Sequence, residues 1–194
     1  LPMWMIIYLI EYNYYTTMNS IFPNQDELSG FLALFASFCS FGGLILELFL
    51  AGLLLSRVGV GATTLTYPFT LTIGAVSLMA FTVFPELQGG RHLFGGPILV
   101  AFARFCDIAI YFSIYESASQ LLFNALPEQS RGQGRALIQG MMMPASTAMA
   151  GILLLLMNHW KEPSHNIAFV SLNLAFLLVI FGLNVGPNYM KAML

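Results

Sequence analysis

The sequence predicts an all-α membrane protein, a single bundle of six transmembrane helices over residues 1–194, on three observations. Hydrophobic residues fill 58% of the chain and charged residues only 8%, against roughly 25% charged in a soluble domain, so a water-facing surface could not be covered. The apolar windows each approach the ~20 residues that cross ~30 Å of hydrocarbon as helix. The breaks between them are short and built from polar residues, Pro and Gly, with no linker and no length left for a soluble domain.

Span one covers about 1–20. Along it Tyr8, Glu11, Tyr12, Tyr15 and Asn19 recur at three and four residues, which lines one helix face with hydroxyls, an amide and one acid. A carboxylate in hydrocarbon is costly and by default faces the bundle interior. Glu11 therefore serves a wet cavity that hydrogen-bonds a polar substrate, or is tied to a neighbouring helix within an aromatic packing face. The turn Pro23-Asn24-Gln25-Asp26-Glu27 then places acids at a helix start, where the dipole favours them.

Span two, about 28–55, carries Glu47 on one face with Ser40 and Gly43, and Gly42 and Gly43 permit close helix approach. Glu47 reads as a protonatable coupling group or as a border acid pairing with Arg57, ten residues on. The stretch from Gly52 through Arg57 to Gly59 forms a tight cationic hinge into span three, about 62–84. Beyond it, Glu86 to Gly96 holds turn chemistry in Gly89-Gly90 and Gly95-Gly96-Pro97.

Span four, about 95–123, places Arg104 and Asp107 one turn apart, where they can pair in cis and lower the cost of insertion. A structural ion pair and a substrate or proton-coupling pair are both open. Tyr111 and Tyr115 continue that face, whereas Glu116, nine residues past Asp107, points to the opposite one at ~100° per residue. It serves another interface or sits near the headgroups. A longer basic loop, Leu126 to Ala136, carries Arg131 and Arg135.

Span five, about 135–158, contains Met141-Met142-Met143-Pro144, an adaptable apolar helix with a proline kink. Its methionines radiate around the helix rather than converge, so they do not form a sulfur site for metal. Span six, about 167–186, has Asn173 and Asn184 on one face for interhelical hydrogen bonds.

Other classes are argued against by what the chain lacks. A net charge of −2 with no basic tail gives no nucleic-acid footprint. Cys39 and Cys106 lie inside apolar spans and read as packing thiols rather than a disulfide framework. His92, His159 and His165 are loop residues without ligand spacing, so no metal is expected. No Ser/His/Asp or Cys/His constellation points to an enzyme, and no cofactor is called for. Arg57, Arg131, Arg135 and Lys191 against Arg91 and Lys161 put both termini in the cytoplasm by the positive-inside rule. An apolar stretch already under way at Leu1-Pro2-Met3 suggests a fragment of a longer twelve-span chain, with signal-peptide cleavage as the other reading.

Both ends inside, a cationic hinge after span two and a basic loop after span four resemble one half of a major facilitator superfamily transporter. The family's hinge motif, Gly-x-x-x-Asp-Arg-x-Gly-Arg-Arg/Lys, matches here at Gly52, Arg57 and Gly59. Ser56 stands in place of the Asp, and Val60 and Gly61 in place of the trailing cations, so the latch that the Asp provides is weakened. Pro127 and Arg131-Gly132 resemble the family's Pro-x-x-x-Arg-Gly approach to its eleventh helix.

Over most of the chain, Glu11, Phe22-Pro23, Glu27 to Phe31, the hinge and Arg135 to Pro144 resemble the second half of the ATP/ADP-exchange nucleotide transporters of plastids and intracellular bacteria, and their free-living bacterial relatives. The resemblance implies that the acid matching Glu11 contributes to nucleotide transport. Two lysines of that family are replaced, one within Tyr14-Tyr15 and one in Ala145-Ser146-Thr147 after Pro144, so lineage is implied more strongly than a nucleotide cargo.

The expected function is that of a secondary transporter half in a bacterial inner membrane, moving a polar or anionic metabolite, nucleotides included. Its partners would be the lipid bilayer, a small-molecule substrate, and an N-terminal half or a second copy. A non-transporting membrane scaffold is the alternative, and an intramembrane enzyme comes third.

Overall fold

A computed structural model describes residues 2–84, 97–124, 128–159 and 163–193. The described chain is helical, with no strand among these residues. We label the helices α1 (Pro2–Ile21), α2 (Gln25–Arg57), α3 (Val60–Val83), α4 (Pro97–Asn124), α5 and α6 (Pro163–Met193). Helix α5 runs through Glu128–Leu137, Ile138–Met142 and Met143–Met157.

Five helical segments, in α2 to α6, are long and apolar enough to cross a membrane, as an integral membrane protein requires. Helix α1 matches them in length at 20 residues, but its acid, amides and hydroxyls lower its hydropathy. Outside the core the helices present hydrocarbon: Phe49 is 75% exposed and Leu155 76%.

The core is built on α1, α3, α4 and α6. Ile6, Ile10, Tyr14 and Met18 of α1 meet Tyr67, Leu71, Ala75 and Leu78 of α3, with Val100, Ala103, Ala168 and Ala175 from α4 and α6. Their three- and four-residue spacing puts each set on one helix face. Small residues set the helix separations. A Cβ added at Gly74 would lie 3.4 Å from Ala103 Cα, and one at Gly43 would lie 3.6 Å from the Ala109 carbonyl oxygen, so α3 and α2 both approach α4 closely. Helix α5 packs mainly on α1, where Leu9, Met157 and Ile167 form a second cluster.

Helix boundaries refine the expected spans. Helix α2 begins at Gln25, where the Asn24 side chain accepts from the Asp26 N–H at 3.1 Å and satisfies a donor free at every helix start. Its other end runs to Arg57. Gly52 is therefore inside the helix, not in a loop, and the turn shrinks to Val58-Gly59. Gly59 carries it with φ 84°, which a residue with a Cβ adopts only with strain, and its carbonyl accepts from both the backbone and the hydroxyl of Thr63.

The expected basic loop from 126 to 136 is corrected as well: from Glu128 it is helix, so Arg131 lies on α5. Arg131 Nη2 donates to the carbonyl of Asn124 at 2.7 Å, covering the C-terminal end of α4 where cations are favoured. His165 lies in α6 rather than in a loop. Arg91, His92, Lys161 and the stretch from Glu86 to Gly96 fall outside the described residues, as does the side chain of Lys191.

Candidate functional site

The polar residues of α1 and the ion pair expected on α4 converge. Arg104 Nη1 donates to Asp107 Oδ2 at 2.6 Å, the cis pair that one-turn spacing allows. Its other terminal nitrogen, Nη2, lies 3.1 Å from Glu11 Oε1, so one guanidinium ties α1 to α4 with charge-assisted bonds to two acids. Tyr67 of α3 completes the chain by donating its hydroxyl to Asp107 Oδ1 at 2.7 Å. Four side chains from three helices thus form a continuous polar path, with Asp107 and Tyr67 buried and Glu11 at its exposed end.

Two of the groups just named belong to this site in a way that residue spacing does not reveal. Tyr67 is an aromatic in an apolar run, and only helix–helix register brings it to Asp107. The pairing of Glu11 with Arg104 likewise depends on how α1 docks.

The tyrosines divide into two sets. On α1, Tyr8, Glu11, Tyr12 and Tyr15 lie away from the buried face formed by Ile6, Ile10, Asn13 and Tyr14. Tyr15 is 46% exposed, while Tyr12 is half-buried against the second cluster. Tyr14, one residue from the stripe, is buried and its hydroxyl has no hydrogen-bond partner among the described residues. On α4, Tyr111 meets Tyr67 edge-on and Tyr115 meets it at a tilt, with ring centroids at 5.4 and 5.0 Å, and Trp4 of α1 meets Tyr111 edge-on at 5.6 Å.

A cavity of about 650 Å³ opens beside this aromatic group, lined by Trp4, Tyr111, Tyr115, Glu116, Arg135 and Gln139 among others. Glu116 therefore shares a cavity with Tyr111 and Tyr115 instead of pointing opposite to their face. The cause is a wide, π-type turn at Tyr111–Tyr115, which withholds about one residue's 100° of rotation from everything after it.

Two further wide turns occur at Glu47–Ala51 and Ile138–Met142. The latter precedes Pro144, which has no N–H for the carbonyl of Gly140 and whose ring would collide with it. Pro144 is thus accommodated by a wide turn just ahead of it.

Glu47 and Ser40 share a smaller cavity of about 240 Å³ with Gly43, Cys39 and Ser113. Glu47 makes no ion pair with Arg57 among the described residues. A ten-residue separation along a helix is about 15 Å, too far for one. Cys39 and Cys106 are buried free thiols. Asn173 donates to the Phe169 carbonyl of its own helix at 2.8 Å instead of to a neighbouring helix, a backbone bond open to asparagine in any helix; the Asn184 side chain lies outside the described residues. Comparison with known protein families, curated proteins and solved structures finds no match for this chain.

Proposed function

We propose that this bundle is one six-span half of a secondary transporter of the major facilitator type, working by alternating access on a polar or anionic metabolite. The observation that carries the reading is the path Glu11–Arg104–Asp107–Tyr67. It lies within helices of membrane-spanning length, and intramembrane charges of this kind mark substrate or ion pathways. Its exposed end is Glu11, flanked by Tyr8 and Tyr15 on the side of α1 that this bundle leaves open. A second half, or a second copy, would complete a midplane site there.

The cationic ends of α2 and α5 support cytoplasmic termini in a bacterial inner membrane, and the hinge residues Gly52, Arg57 and Gly59 with Arg131 would move with the gate. Nucleotides are the first cargo to test because of the likeness of Glu11 and its flanking turns to the nucleotide exchangers.

The test is uptake into proteoliposomes, comparing wild type with Glu11→Gln. We expect the substitution to reduce flux at least tenfold while the protein stays folded. Unchanged rate and affinity would make Glu11 structural. The closed pairing of Arg104 with both acids favours one second reading, a non-transporting scaffold in which the path only holds helices together. In that case Glu11→Gln lowers the melting temperature and no solute crosses with either protein.

A further inference from the structure

The cavity beside Tyr111 is lined by two opposite charges that do not meet. Glu116 projects from α4 and Arg135 from α5, and neither takes part in an ion pair among the described residues. Arg135 instead lies over the Phe123 ring, its guanidinium carbon 5.6 Å from the centroid, a cation–π contact that commits none of its N–H groups to an acid. Trp4, Tyr111 and Tyr115 line the same cavity, adding aromatic surface and two hydroxyls to the two charges. At about 650 Å³, the space falls within the ~300–1,000 Å³ usual for small-molecule sites.

An acid and a guanidinium sharing a cavity without closing on each other are matched by a ligand that spans the gap with the reverse order of charge. We propose that this cavity binds a zwitterion, a molecule with an ammonium group for Glu116 and a carboxylate or phosphate for Arg135 on an apolar body. Each end gains a charge-assisted hydrogen bond, and Trp4 and the tyrosines cover the body. A singly charged molecule leaves one protein charge without a partner. The same chemistry occurs in a free amino acid and in the headgroup of phosphatidylethanolamine. The inference deepens the transporter reading by naming a substrate class, and it rests on that reading only for passage across the membrane.

Trp4 supplies the readout, since Trp160 is the one other tryptophan and a Trp160→Phe background isolates its fluorescence. The protein is placed in phosphatidylglycerol nanodiscs and titrated with phenylalanine and leucine, each against its N-acetyl form, which is only an anion, and its methyl ester, which is only a cation. A parallel arm exchanges phosphatidylglycerol for phosphatidylethanolamine. Saturable binding is expected to be at least tenfold tighter for the zwitterion than for either analogue, or, if the source is lipid, a Trp4 shift is expected in phosphatidylethanolamine alone.

Arg135→Gln should weaken the zwitterion about tenfold, with Arg135→Lys within about threefold of wild type, and Glu116→Gln should equalise the zwitterion with its N-acetyl form. Circular dichroism confirms that each variant is folded. The proposal is overturned if neither arm prefers the zwitterion, or if Arg135→Lys and Arg135→Gln behave alike. Because binding is read without flux, its failure is separable from that of the transporter: loss of uptake in Glu11→Gln without zwitterion preference sinks only the cavity assignment, and preference without uptake sinks only transport.

Discussion

Arg104 is the residue on which the polar path depends, because it is 12% exposed and faces two acids at once. Removing one partner of a buried ionic group leaves the others uncompensated, which costs about 3–5 kcal/mol. Arg104→Gln should therefore lower the melting temperature in detergent far more than Tyr67→Phe, which leaves one Asp107 oxygen unsatisfied at about 1–3 kcal/mol. Equal shifts for the two would mean that the guanidinium is not the centre of the path. At this scale the sequence was partly legible. One-turn spacing marked Arg104 with Asp107, and the stripe marked Glu11, since both signals are local. Tyr67 carries no such mark, because a tyrosine among apolar residues looks the same whether it packs or bonds, and its partner lies 40 positions away.

Among the elements, the helices and their order followed from apolar windows and turn residues, whereas their wide turns did not. A π-type turn is a slip in backbone hydrogen bonding, and only the one ahead of Pro144 has a cause written in the residue pattern. The slip at Tyr111–Tyr115 in α4 is the one that brings Glu116 to Tyr111 and Tyr115. Pro144→Ala restores an N–H and is expected to let α5 relax towards a regular helix, rotating Arg135 and Gln139 relative to the segment beyond the proline. The check is the thiol reactivity of Arg135→Cys and Gln139→Cys with and without Pro144. An unchanged pattern would show that packing, not the proline, sets the wide turn. Gly59 offers a second check on an element boundary: Gly59→Ala should cost about 1–3 kcal/mol, because its φ 84°, ψ 163° backbone lies in a region essentially open only to glycine, measured by thermal unfolding, while Gly52→Ala, with open space at its Cβ, should cost nothing.

For the whole molecule, the turn between α2 and α3 and the start of α5 are expected on one face of the membrane. Val58 is 55% exposed and Gln133 is also exposed, so Val58→Cys and Gln133→Cys should both be labelled by an impermeant maleimide from the same side. With Cys39 and Cys106 buried, background labelling should be small. Labelling from opposite sides would overturn the topology.

The path itself has a consequence for the second half proposed above. Counted by formal charge, Glu11, Arg104 and Asp107 sum to one excess negative charge, with Glu11 at the open end. A two-fold pairing of identical chains through that flank would set two such excesses face to face, and like charges in a weakly screened interior repel. A dissimilar half offering a cation opposite Glu11 would not meet this barrier, so the one excess charge of the path favours a dissimilar partner over a second copy of the same chain.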